Sequence, residues 1–234
     1  MLLQCENDDR GRNEAAARAV LPWLPRETLE TLFELNELSL TLLAQEAALE
    51  QAAPSSLLRL LHELAHLLGA PARRRAAACP YLLVDIGFAD SERWYSAPNA
   101  IEDRERSRGF FTLAGGAELS RLVLTFAWHL ARAESAAAQL LLGMPRPCAA
   151  LIGRCTLRRI ELLGETHPEW LTPRWPHRLS AWRELLVTAA AGESPALERA
   201  RLRGLTLLAA EVRRPLHGEP TIERAAPPAR RACG

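Results

Sequence analysis

Apolar positions in residues 27–52 recur at intervals of three and four through Leu29, Leu32, Phe33, Leu40, Leu43 and Ala47, the spacing of one helical face. Asn36 falls inside that stripe. An amide on a core-facing stripe is expected to bond a neighbouring element and fix its register, because a buried polar group needs a partner. Ser55 or Ser56 can cap a second helix through Leu57, Leu60, Leu61, Leu64 and Leu68, which Gly69 and Pro71 end. After the basic step ARRRAAACP, the run YLLVDIGFADSERW holds no helical stripe, and a short extended segment is expected near 81–88.

Residues 95–117 carry Pro, Asn, mixed charges and a Gly-Gly pair, the composition of a connector. Beyond them a long helix is predicted over about 117–142, with Leu119, Leu122, Val123, Phe126, Leu130, Ala133, Ala137 and Leu141 on its stripe and Gly143 and Pro145 as its stop. Two short helices follow in CAALIGR and TLRRIELLGE, the second capped by Thr156. The tryptophan-rich HPEWLTPRWPHRLSAW, the helical LSAWRELLVTAAAGE and a last helix from Ser194-Pro195 to about Arg214 complete the order. The pattern predicts an all-α chain of two similar helical halves with one short extended segment. Its expected organisation is a flexible N-terminus over 1–20, a first unit over 21–95, a connector over 96–116, a second unit over 117–214 and a Pro-rich, disordered tail over 215–234.

Composition adds limits. Hydrophobic residues make up 48% of the 234, enough for a sizeable core, and the formal charge of +1 gives no global pull toward nucleic acid or anionic lipid. Any basic site must therefore be local. All 29 basic residues are arginine, which a coding bias explains as well as function does. Cys5, Cys79, Cys148, Cys155 and Cys233 form no C-x-x-C pair and suit reduced thiols. The opening MLLQCENDDRGRN lacks the basic-then-apolar order of a secretory signal, and no uncharged apolar run approaches the roughly 18 residues of a membrane span. A cytoplasmic location with no membrane partner is expected.

One short motif points to chemistry. His62-Glu63-Leu64-Ala65-His66 has H-E-x-x-H spacing, in which two imidazoles one turn apart bind Zn²⁺ and the glutamate activates its water. This zinc-peptidase alternative takes His62 and His66 as ligands and Glu63 as the catalytic base. The following LLG resembles metzincin peptidases, but the third histidine of that pattern would fall at Ala72, and the nearest substitute carboxylates, Glu92 and Glu102, stand in no ligand motif. The leading expectation is an amphipathic helix with solvated polar flanks, no cofactor and no catalytic centre.

The halves also match each other. LSLTLLA (38–44) lies over LVLTFAW (122–128) at an offset of 84, and Pro80 over Pro168 and Trp94 over Trp182 share an offset of 88. The order of long helix, shorter helix, arginine step, Pro, hydrophobic turn and Trp suggests an internal duplication. At the offset of 88, His62, Glu63 and His66 become Ala150, Leu151 and Arg154, so the same helix is built without metal ligands.

The second half, in LSRLVLTFAWHLARAESAAAQLLLGM and CAALIGRCTLRRIELLGETH, resembles the bacterial flagellar transcriptional activator FlhD. The first half is similar more loosely, through LFELNELSLTLLAQEA and YLLVDIGF, and the aromatic EWLTPRW departs from the family. The resemblance implies an all-helical protein of transcription that forms dimers and works with a second subunit, FlhC, which carries a cysteine-bound zinc. Two D-like copies in one chain imply a monomeric pseudo-dimer, with a homodimer as the other possibility.

A local basic surface remains. Between 154 and 183, Arg154, Arg158, Arg159, Arg174, Arg178 and Arg183 face three glutamates, with Trp170, Trp175 and Trp182 interleaved. Arg154, Arg158, Arg159, Arg174 and Arg178 are the candidate contacts to a protein partner (an FlhC-like subunit or the transcription machinery) or to duplex DNA. The same residues also suit a solvated face over packed tryptophans, since base-reading Asn and Gln are absent from this segment. The expected function is FlhD-like regulation through partner proteins; besides the zinc peptidase, a helical interaction adaptor without DNA contact is the further alternative.

Overall fold

The computed structural model describes residues 23–49, 55–96, 109–112 and 114–212. The expected flexible N-terminus and tail, and most of the connector, lie outside the described residues. The fold is all-α. Helix α1 spans Arg26–Leu49, α2 Ser56–Glu63 and α3 Ala70–Ala77; strand β1 is Val84–Asp85 and α4 is Ser91–Ser96. The second half contains α5 (Gly115–Ala133), α6 (Ser135–Leu142), α7 (Arg146–Arg154), α8 (Leu157–Thr166), β2 (Thr172–Pro173), α9 (Leu179–Ala191) and α10 (Pro195–Val212).

Three boundaries differ from the sequence reading. The helix begun at Ser56 ends at Glu63, and Ala65–Leu67 form a 3₁₀ turn. Gly69 does not simply stop that helix but N-caps α3, with Pro71 in its first turn where no N–H is needed, so the arginine step is helical. The long helix predicted over 117–142 breaks at Glu134, whose extended backbone (φ −155°, ψ 86°) separates α5 from α6. Thr156 does cap α8, its side chain accepting from Arg159 N at 3.3 Å.

Two cores divide the interior. The first collects Leu29, Leu32 and Leu35 of α1 with α5, α6, α7 and α8; the second collects Leu40, Leu43 and Ala47 of α1 with α2, α3, α9 and α10. The stretch 81–88 runs between them. Its alternation distributes side chains in the way an extended backbone dictates: Leu82, Val84, Ile86 and Phe88 enter the first core, Tyr81 and Leu83 the second.

Helix α1 packs on α2 and α3, and α5 packs on α7 and α8. The helix that follows each strand crosses over: α4 packs on α7, whereas α9 packs on α2 and α3. Strands β1 and β2 pair antiparallel, Val84 with Pro173 and Asp85 with Thr172. The offset of 88 carries Val84 onto Thr172 and Asp85 onto Pro173, so each strand residue pairs with the residue 88 positions beyond its neighbour. A Cβ on Gly164 of α8 would sit 2.7 Å from the Arg121 Cα of α5, and Ala76, 88 residues earlier, is fully buried on α3.

Asn36 is buried as the stripe implied. Its Nδ2 donates to the carbonyls of Ala77 at 3.0 Å and Tyr81 at 2.9 Å, and its Oδ1 accepts from Leu83 N at 2.8 Å. One amide thus supplies backbone partners that a non-helical segment inside the core lacks. Asn36→Ala is expected to lower unfolding free energy by at least about 2 kcal/mol, because it strands several buried groups at once; urea denaturation measures it.

Candidate partner-binding surface

The zinc reading meets a geometric obstacle. Helix α2 stops at Glu63, Leu64 turns out of helical geometry, and His66 lies in the 3₁₀ turn, so the one-turn relation of the two imidazoles on a continuous helix is not kept. His62, Glu63 and His66 are all exposed, and Glu63 accepts from Arg183 at 3.2 Å, closing a surface ion pair between α2 and α9. Glu92 is exposed on α4, and Glu102 lies outside the described residues. Among the described residues no group of three or more His, Cys, Asp or Glu side chains is placed to hold a metal ion.

The five candidate arginines do not share one surface. Arg174 is only 4% exposed. Its Nε donates to Leu82 O at 3.0 Å and its Nη2 to Leu142 O at 2.8 Å; the same guanidinium pairs with Asp85 at 3.3 Å and Glu211 at 3.1 Å. It is an interior cross-link between β2, β1, the end of α6 and the end of α10, so its place among surface contacts is corrected. The sequence hid this because every arginine has the same letter wherever its guanidinium points. The next residue, Trp175, adopts a left-handed backbone (φ 51°), sets its ring 5.6 Å from Tyr81 and donates its indole N–H to Glu211. Trp182 donates to Arg174 O at 2.9 Å and Trp170 stacks on His167 with ring centroids 4.2 Å apart. The tryptophans therefore serve packing.

Arg154 ends α7, Arg158 and Arg159 lie in the first turn of α8, and Arg178 precedes α9. Arg154, Arg158 and Arg178 are exposed; Arg159 is half-buried. Arg154 shares a shallow depression with Arg132, Ala131, Ala149, Ala150 and Gly153, between the end of α5 and α7. Arg132 was not singled out by local charge in the sequence, since α5 lies outside the basic segment. Its guanidinium lies 4.9 Å over the Trp128 ring, and Trp128 Nε1 donates to Cys155 O at 2.8 Å. A fixed chain of contacts thus joins Arg132 to the α7–α8 turn that carries Arg154 and Arg158.

Burial pushes Cys79 up to about 11 against the partial opposition of Arg201, and burial likewise raises Cys148 and Cys155; a thiol held neutral is a poor nucleophile and metal ligand. No helix of the described residues is long and apolar enough to cross a membrane. Compared with known proteins, the chain matches no family model, no curated sequence and no solved structure.

Replacing Arg174 by Met is expected to cost about 3 kcal/mol in urea denaturation, at the low end for breaking a buried ion pair because both carboxylates keep an edge toward water. Arg158→Ala should stay within about 0.5 kcal/mol of the parent. A second expectation concerns pH. The folded chain keeps the Cys79 proton to about pH 11, whereas the unfolded chain releases it from its ordinary value of 9.0. Stability should therefore be intact below pH 9.0 and fall as pH rises toward 11. Cys79→Ala should make that fall shallower in denaturation midpoints recorded across the range.

Proposed function

We propose that the chain is an FlhD-like transcriptional regulatory protein, built as a single-chain pseudo-dimer, that acts by binding partner proteins and with them duplex DNA. The observation that carries this reading is the crossed packing: α4 of the first half lies on α7 of the second, and α9 of the second lies on α2 and α3 of the first. Such an exchange is how two like subunits interlock in a two-fold dimer. The ribbon register and the paired tryptophans support the same reading, since Trp94 donates to Gly87 O and Trp182 to Arg174 O, each closing back on its own strand segment. The FlhD-like residues at 119–144 and 148–167 supply the family.

An adaptor that binds proteins without touching DNA is the second reading. It is favoured by the interior place of Arg174, which removes one cation from the basic segment. The test is co-expression with an FlhC-type subunit. A stable joint complex containing one copy of this 25.9 kDa chain per D-type dimer position is expected. Its DNA affinity should fall with salt, with a log–log slope smaller by about 1 for Arg158→Ala. A joint complex without salt-dependent DNA binding selects the adaptor, and no complex at all removes the FlhD-like reading.

A further inference from the structure

We propose that the depression between α5 and α7, floored by Ala131, Ala149, Ala150 and Gly153 and rimmed by Arg132 and Arg154, docks an acidic helix of a partner protein. This rests on the regulatory reading only in that the chain acts through a protein partner, and it gives that partner a chemistry. Charge is the first argument. In the first half, Arg26, Arg59, Arg73, Arg75 and Arg93 are all engaged by side chains or carbonyls of the fold. In the second half, Arg132 and Arg154 meet no carboxylate among the described residues, and Arg158 lies on the next helix, beyond the extended Cys155–Thr156 break. Two exposed guanidinium groups on one hollow suit carboxylates, which they can grip with paired N–H donors.

Shape is the second argument. The floor carries nothing larger than a methyl group: three alanines and Gly153, whose backbone packs against Ala131 of α5. A third helix can therefore lie close along the seam of the two. The rim is also partly ordered before any partner arrives, because Arg132 rests on Trp128 and Trp128 is bonded to Cys155 O. Less side-chain freedom is lost on binding. Leu157, 41% exposed at the start of α8, offers an apolar contact beside Arg154 and Arg158.

Sign separates this occupant from nucleic acid. Glu134 stands directly after α5, and Glu161 lies one turn from Arg158 on α8. A continuous phosphate backbone would meet these carboxylates, whereas a helix with glutamates on one face can avoid them.

The probe is a fluorescein-labelled peptide of about 20 residues, with alanine and leucine on one face and glutamate at positions four apart along its edge. It is titrated with the full chain by fluorescence anisotropy. Saturable binding that weakens with salt is expected. The Arg132→Glu, Arg154→Glu double variant should weaken it by at least about tenfold, and Ala150→Trp, which fills the hollow and leaves the charges, should do the same. Arg199→Glu, an exposed arginine on α10, should bind as the parent does, and circular dichroism melts confirm that each variant folds. The proposal is overturned if the peptide does not bind, if neither variant weakens it, or if a lysine-for-glutamate peptide binds equally well. It is likewise overturned if duplex DNA competes through the same two arginines as tightly as the peptide. The assay contains no FlhC-type subunit, so loss of the joint complex and loss of peptide binding are separate results.

Discussion

The stretch 77–86 passes between two apolar cores with almost no secondary structure of its own, and its backbone groups are the constraint on which the rest depends. A peptide group inside hydrocarbon without a partner costs as much as a lost hydrogen bond. Two side chains meet that demand from opposite directions. Asn36 takes Ala77 O, Tyr81 O and Leu83 N from α1. Arg174 takes Leu82 O from β2 and pairs with Asp85. Leu82 N itself donates to Leu141 O at the end of α6. The extended run is thus clasped by both halves, and the alternation of its side chains can serve two cores at once.

The two halves share both cores. Helix α1 contributes to both, Leu42 in the first standing between Leu40 and Leu43 in the second, and the helices that follow each strand close the opposite half. Arg201 of α10 extends the linkage: it is buried, reaches Arg75 O at 2.8 Å, and is neutralised by Glu193 and Glu198. Arg75 in turn donates to Ala189 O of α9 at 2.7 Å. Two arginines thus tie α3 to the consecutive helices α9 and α10, over a hundred residues away in sequence, in place of the larger apolar face that short helices such as α3 cannot supply.

Much of the fold was legible in the chain. Helical periodicity placed α1, α7, α8, α9 and α10 within a few residues, and the misfit of YLLVDIGF to a helical stripe located the strand. Asn36 was legible because an amide in an apolar stripe must find a hydrogen-bond partner on whatever packs against it. The break at Glu134 was not, since Ala133 and Ser135 carry no strong stop and tertiary packing decides there. The arginine step became helix because Gly69 and Pro71 can begin a helix as well as end one. At the surface, periodicity reached the position of Arg154 and Arg158 but not the function of Arg174. A guanidinium's destination depends on which carbonyls the fold leaves bare, and those come from residues some 90 positions away.

The proposed duplication has a last implication, for how such a protein can change over generations. In a dimer of identical chains, any substitution appears on both sides of the axis, so a new contact on one face is bound to its twin. With both halves on one polypeptide that bond is gone. Ala150 and Arg154 on α7 lie 88 residues beyond His62 and His66. One flank holds a permanent cation and a methyl group; its counterpart holds two imidazoles. The two flanks thus differ in chemistry and in local backbone, because Arg154 closes a regular helix while His66 sits in a 3₁₀ turn.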